Sequence, residues 1–115
     1  MVEECYAEDV EWQEMPSLFA PQGRRGSRAE LRAAFSAATA MLKDKRVTLQ
    51  HAVGSGDTVA MEVVWEATIA RTVGSMTAGT RLNMPIGWFL RFRDGRIVSS
   101  HEYLAYGGAA PRQTT

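Results

Sequence analysis

The sequence predicts one α+β domain in which a helix packs on one face of a curved, mainly antiparallel sheet. Two observations support this prediction. Apolar residues recur with helical spacing before residue 43 and with strand alternation after residue 46, and glycine-containing turn sequences separate the alternating segments. The chain has 115 residues, which is the length of one ordinary domain. We therefore expect a single folding unit over residues 1–106 and a flexible tail, rich in glycine and alanine, over residues 107–115.

The N-terminal part of the chain predicts a short strand followed by a helix. Val10, Trp12 and Glu14 alternate with polar residues, so a strand places all three on one side. After a loop rich in proline and glycine, Ser27 and Glu30 have the spacing of a capping box, which opens a helix. Apolar residues then recur with helical spacing and predict a stripe that covers the sheet. The stripe consists of Leu31, Ala34, Phe35, Ala38 and Leu42.

The rest of the chain predicts four antiparallel strands that begin at Arg46. Turn sequences at 54–57 and 94–95, and a flexible connection at 74–79, separate them. On the last strand, over residues 97–105, neither alternating row is more apolar, so periodicity does not decide which row faces inward. The rows expected to face inward on the other strands are Val47, Leu49, His51 and Val53; Val59, Met61, Val63, Trp65, Ala67 and Ile69; and Leu82, Met84, Ile86, Trp88, Leu90 and Phe92.

The composition narrows the classes of partner. Thirteen basic and thirteen acidic residues give a net charge of zero, which argues against nucleic acid and anionic membranes as partners. Cys5 is the only cysteine, so the chain forms neither an internal disulfide nor a cysteine-based zinc site, and this suits a reducing cytoplasm. The longest uncharged apolar stretch, residues 84–90, is too short to span a membrane. We expect a cytoplasmic protein whose partner is a small molecule.

Three segments together resemble the nuclear transport factor 2-like superfamily: residues 6–16 (YAEDVEWQEMP), residues 26–28 (GSR), and residues 92–104, which begin FRDGRI and end EYL. Within it, the chain is most similar to SnoaL-like polyketide cyclases, ketosteroid isomerases and limonene-epoxide hydrolases. The resemblance implies a cone-shaped, strongly curved sheet packed on helices (a cystatin-like α+β roll). It also implies an apolar pocket inside, no cofactor, and often a homodimer through the outer sheet face.

The superfamily's usual long first helix is truncated in this sequence. Only residues 1–7 precede the first expected strand. Either the start codon lies upstream of Met1, or the pocket is unusually open.

The resemblance also implies roles for individual residues. The proton-shuttling carboxylate of ketosteroid isomerases matches Glu14, and their strand aspartate that donates a hydrogen bond to the oxyanion matches Trp88, whose indole N–H can still donate one. In limonene-epoxide hydrolases the position of Glu102 is an aspartate of the catalytic relay. The other two relay positions match Val63 and Trp65, which are apolar, so the usual epoxide-opening relay is missing.

Glu14 and Glu102 are therefore the candidate catalytic residues. Glu14 either faces an aromatic, poorly hydrated cavity, as suits a general acid or base, or lies solvated at the rim. The resemblance implies that Glu102 faces inward as a second carboxylate of the pocket. The alternative is that Glu102 is an exposed, charged residue on the surface of the strand. The residues expected to bind substrate are Trp12, Met61, Val63, Trp65, Ile86, Trp88, Ser100 and Leu104.

Two further groups of residues have either a structural or a functional interpretation. His51 and His101 lack the spacing of a metal site, so we expect no metal, and they are either surface or interface residues or catalytic. Arg24, Arg25 and Arg28 either form a solvated surface or bind an anion near the helix start.

We predict a SnoaL-like small-molecule enzyme that binds an apolar, ring-type substrate in the cone and catalyses isomerisation or cyclisation by proton transfer. One alternative is a non-catalytic ligand-binding module, or a dimerisation module that uses the outer row of Glu62, Glu66 and Thr68. A second alternative is an epoxide-hydrolase-like activity with an altered relay.

Overall fold

The computed structural model describes residues 2–17 and 20–105 of the chain. The expected tail over residues 107–115 lies outside these residues. The helices are α1 (Val2–Cys5) and α2 (Arg28–Met41). The strands are β1 (Tyr6–Glu14), β2 (Arg24–Gly26), β3 (Leu42–Ser55), β4 (Thr58–Ile69), β5 (Arg81–Arg93) and β6 (Arg96–Leu104).

The strands form one six-stranded sheet in the order β2-β1-β6-β5-β4-β3. All neighbours are antiparallel except β1 and β6, which run parallel. The expected α+β architecture, with α2 against one large, mainly antiparallel sheet, is confirmed. The parallel pair joins the two ends of the described chain, and it places the last residue of β1, Glu14, opposite Glu102.

The expected start of α2 is confirmed in detail. The Ser27 hydroxyl accepts a hydrogen bond from the Glu30 backbone N–H at 3.3 Å, and the Glu30 carboxylate accepts one from the Ser27 backbone N–H at 2.8 Å. This reciprocal pair satisfies two N–H groups that the first helical turn leaves without partners. Two boundaries differ from the prediction: β3 begins at Leu42 rather than Arg46, and the expected loop before α2 contains the three-residue strand β2.

The predicted inward row of β3 is wrong beyond Leu49. Val47 and Leu49 are opposite Trp65 and Val63. A register shift follows between Leu49 and His51, and an extra residue in one strand moves all later side chains to the other face. His51 and Val53 therefore lie on the outer face, which we define as the face that α2 does not cover. The alternating sequence pattern carries no trace of this bulge.

The main hydrophobic cluster lies between α2 and the sheet. Leu31 is the buried residue of α2 and contacts the sheet there. We call this face of the sheet the helix-side face. The cluster consists of Tyr6, Val10, Trp12, Leu31, Leu90 and Ile97, with Met61, Trp88 and Phe92 packed against it.

Helix α2 covers the helix-side face of the sheet only in part and leaves the side of β3 exposed. Phe35 of α2 is 44% exposed, and Val47 and Leu49 are each 57% exposed although they share a face with the buried Val63. The expectation that the apolar stripe of α2 covers the sheet holds near β1 and fails near β3. Within the described residues, no helix is long and apolar enough to cross a membrane.

Candidate functional site

Four side chains on the helix-side face form one row across the middle of the sheet. Met61 of β4 is opposite Trp88 of β5, and Trp88 is opposite Glu102 of β6. Glu102 is in turn opposite Glu14 of β1. Directly opposite residues of neighbouring strands point to the same face. The row therefore brings both predicted carboxylates together, beside an indole ring and a thioether.

Glu14 is buried in an ion pair. Its side chain is 6% exposed, and its Oε1 lies 2.6 Å from Nη2 of Arg24, which donates a hydrogen bond to it. The other carboxylate oxygen, Oε2, is buried and accepts no hydrogen bond. Glu14 is thus neither solvated at a rim nor surrounded only by apolar groups, because a guanidinium compensates its charge.

The edge strand β2 supplies the arginine. β2 pairs antiparallel with β1 and sets Arg24 directly opposite Glu14. Gly23, just before it, has a φ of +76°, and a Cβ there would lie 2.7 Å from the Glu14 backbone oxygen. Glycine is therefore the residue that lets the chain approach β1 so closely.

Glu102 is a carboxyl that exchanges its proton near neutral pH. Burial, together with the neighbouring charge of Glu14, raises its pKa from 4.5 to about 7, whereas Arg24 acts in the opposite direction. Desolvation and a like charge both disfavour the ionised form of an acid. A group with a pKa of about 7 is present in both forms near neutrality, which is the condition for general acid–base catalysis.

Tyr6 belongs to the same site, and our sequence reasoning missed it. Its ring is buried in the hydrophobic cluster, 6% exposed, in edge contact with Phe35 at a centroid distance of 6.5 Å. Burial raises the pKa of its hydroxyl to about 12, with contributions from Glu102 and Cys5. Tyr6 is thus a neutral phenol. The signal was present, because Tyr6 opens the segment that contains Glu14.

The indole N–H groups of both tryptophans near the carboxyl pair donate hydrogen bonds to other residues of the protein. Trp88 Nε1 donates to the Ser100 hydroxyl at 2.8 Å, and Trp12 Nε1 donates to the Ser27 carbonyl at 2.7 Å. An indole has one N–H and no acceptor. The oxyanion donor that we expected of Trp88 is therefore bound to Ser100, which is 1% exposed.

The other residues expected to bind substrate lie around this row. Ser100 is opposite Trp12, and Leu104 is opposite Ile86. Val63 and Ile86 are opposite each other and buried, at 5% and 8% exposed. These residues adjoin the carboxyl row.

Trp65 is farther from the carboxyl pair. It is opposite Met84 of β5 and lies on the same face, next to Val47 of β3, where α2 leaves the sheet uncovered.

The histidines and the arginine cluster lie elsewhere. His51 Nδ1 is 3.3 Å from Glu62 on the exposed outer face, and His101 is opposite Phe89 on the same face.

Arg28 donates a hydrogen bond to the Tyr6 carbonyl at 3.2 Å, and Arg24 donates one to Glu14. Both arginines therefore bind acceptors of the protein and do not form an open anion site. Among the described residues, no group of three His, Cys, Asp or Glu side chains is placed to hold a metal ion.

Comparisons with known proteins agree with this architecture. The structure of IdmH from Streptomyces antibioticus, suggested to be a polyketide cyclase, is 25% identical, with a TM-score of 0.76 over 90% of this chain and 78% of IdmH. A protein from Catenulispora acidiphila with a ketosteroid isomerase-like fold is 23% identical, with a TM-score of 0.68 over 89% of this chain and 69% of its own.

A third structure, suggested to be a polyketide cyclase of Acidithiobacillus ferrooxidans, is 18% identical, with a TM-score of 0.71 over 90% of this chain and 73% of its own. No curated protein matches the chain. The sequence profile of the SnoaL-like domain family matches residues 1–100. The chain therefore belongs to the SnoaL-like domain family and has its nuclear transport factor 2-like fold.

Proposed function

We propose that the protein is a small-molecule enzyme that catalyses isomerisation or cyclisation by moving a proton within an apolar site. The observation that supports this most is the Glu14–Glu102 pair on the helix-side face, in which one carboxyl has a pKa of about 7. Apolar residues surround the pair, so the substrate is an apolar, ring-type molecule. The single cysteine agrees with a cytoplasmic location.

Glu102 is the proton-transfer group in this proposal. The sequence favoured Glu14 as the base, but Arg24 holds its Oε1 at 2.6 Å and its side chain is only 6% exposed. Glu102 is half-buried, and within residues 2–17 and 20–105 no guanidinium is bound to it. Its ionised form removes a proton from a carbon next to a carbonyl, and its protonated form returns that proton to another carbon.

The neighbouring residues hold the carboxyl in its working range. Burial raises the pKa of Glu102 most. The charge of Glu14 also raises it, and the charge of Arg24 lowers it, so the two members of the ion pair have opposite effects on the proton affinity of Glu102. Tyr6 retains its proton and can donate a hydrogen bond to the substrate oxygen that becomes negative.

Hydrogen–deuterium exchange tests this proposal without knowledge of the natural substrate. Cyclic ketones incubated with the protein in D2O should exchange the protons next to the carbonyl, as followed by NMR. Glu102→Gln should slow the exchange about 100-fold or more. Glu62→Gln, which changes an exposed carboxylate on the outer face, is the matched control and should leave it unchanged. Wild-type rates in Glu102→Gln would refute the assignment.

We propose, as a second role, that the outer face joins two copies of the chain. Phe89 and Tyr103 lie on it, each 48% exposed, with their rings 5.8 Å apart in an edge-to-face contact. Val53 is 66% exposed on the same face. Exposed aromatic residues of this kind are typical of interface centres. Light scattering should show a dimer that Phe89→Ser converts to a monomer, and a monomeric wild type would contradict this role.

A further inference from the structure

The charges around the carboxyl pair are unbalanced. On the helix-side face the pair consists of two carboxyls, Glu14 and Glu102, and the cation beside them is Arg24. The Arg24 side chain is 51% exposed, so part of its charge is screened by solvent. When both carboxyls are ionised, the pair therefore carries one negative charge more than the described residues compensate.

Hydrogen-bond acceptors are in excess as well. Oε2 of Glu14 is buried and accepts no hydrogen bond, although the side chain is more than nine-tenths buried. An ionised carboxylate only accepts hydrogen bonds, so Glu102 in its ionised form adds acceptors and no donors. A buried acceptor without a partner is costly and is rare in native proteins. A donor from outside the chain would satisfy it.

The aromatic rings near the pair have little to donate to a ligand. The N–H groups of Trp12 and Trp88 are bound to Ser27 and Ser100. Trp12 is only 6% exposed, so what remains for a ligand is the ring surface of the partly buried Trp88. The face of an indole carries partial negative charge and attracts cations more strongly than any other side-chain ring.

We propose that this site binds an organic ammonium ion, with its charge at the Glu14–Glu102 pair and its apolar body against Trp88 and Met61. A cation supplies the missing charge, and its N–H or polarised C–H groups face the unsatisfied oxygen of Glu14. The inference adds a cationic group to the apolar substrate of the proposed function and rests on the site proposed there. It concerns binding alone and requires no bond to form or break.

Binding of a cation must be linked to the proton on Glu102. The charged and titratable groups that face it are Glu14 and Tyr6 from β1 and Arg24 from β2, whereas β5 offers the neutral Trp88. Helix α1, which also contacts β6, carries Glu4 and Cys5 at its exposed surface. A bound cation favours the ionised carboxyl. Affinity should therefore rise with pH, and binding at neutral pH should release protons.

Calorimetric titration with benzyltrimethylammonium tests the proposal, because the charge of this probe is permanent and any pH dependence belongs to the protein. Neopentylbenzene has the same shape without charge, and benzoate has the opposite charge. We expect Kd for the cation to fall about tenfold between about pH 5.5 and about pH 8, which corresponds to a change of about one unit in the pKa of Glu102. Benzoate and neopentylbenzene should bind more weakly than the cation at the higher pH.

Two variants locate the effect. Glu102→Gln should remove the pH dependence and weaken binding, and the outer-face control Glu62→Gln should change neither. Equal binding of the neutral probe, or tighter binding of benzoate, in the wild-type protein would overturn the proposal whether or not a variant folds. Cation binding without deuterium exchange would refute the proposed proton transfer and leave this inference standing, and exchange without a preference for the cation would do the reverse.

Discussion

Glu14 and Glu102 lie opposite each other on adjacent parallel strands, yet in the part of the chain that the structure describes only Glu14 has a bound cationic partner. Arg24 contacts Glu14 at 2.6 Å, and burial together with the charge of Glu14 raises the pKa of Glu102 to about 7. Two chemically equivalent side chains thus have different surroundings, one bound to a guanidinium and the other with a raised pKa. A pair of this kind places an ion pair and a mobile proton side by side.

Glu102→Gln should change how the stability of the protein depends on pH. Between about pH 4.5 and about pH 7 the folded state holds a proton on Glu102 that the unfolded state releases, so the free energy of unfolding falls as pH rises through this interval. Glutamine removes this loss. Relative to wild type, the variant should gain up to about 3 kcal/mol across the interval, as measured by urea unfolding at several pH values. Parallel curves for the two proteins would contradict the raised pKa, and Glu62→Gln should give such parallel curves.

Arg24→Gln should destabilise the protein because it leaves the buried carboxylate of Glu14 without its cation. Removal of one partner of a buried ion pair costs several kcal/mol, and the half-exposed position of Arg24 reduces the expected loss to about 2 kcal/mol. Chemical unfolding at neutral pH measures it. Arg25→Gln, at the exposed neighbouring position of β2, should change stability little.

The double variant Arg24→Gln/Glu14→Gln tests the cause of that loss. If an uncompensated charge is responsible, neutralising Glu14 should restore most of the stability. Additive losses in the two single variants would instead mean that Arg24 stabilises the protein through contacts other than Glu14.

Gly23→Ala should be more destabilising than Gly56→Ala. Both glycines have positive φ angles, +76° and +61°, and so carry a similar penalty for a side chain, about 1 kcal/mol. A Cβ at Gly23 would in addition lie 2.7 Å from the Glu14 backbone oxygen, whereas nothing lies within 4 Å of one at Gly56. We expect an additional loss of at least about 1 kcal/mol at Gly23 in thermal unfolding. Equal losses would show that β2 tolerates a larger separation from β1.

Local patterns in the sequence predicted most of the fold. The capping box located the start of α2, and alternation located β4 and β5 because each buries one face. The bulge after Leu49 was invisible, since an inserted residue changes the facing of a strand without changing its composition.

The site could be predicted only in part. The sequence predicts both Glu14 and Glu102 as site residues, and the alternation along β1 predicts the face on which Glu14 lies. The Arg24 contact depends on a three-residue edge strand, which is too short to produce a periodic signal. The hydrogen bond from Trp88 to Ser100 depends on side-chain orientation, which alternation does not determine.

An NMR titration of the Glu102 side-chain carboxyl carbon, assigned by its absence in Glu102→Gln, tests the mobile proton of Glu102 most directly. We expect a midpoint of about 7, because burial and the charge of Glu14 both favour the protonated form. A midpoint at the ordinary value near 4.5 would show that Glu102 is ionised and solvated at neutral pH. That result would remove the mobile proton on which the proposed proton transfer depends.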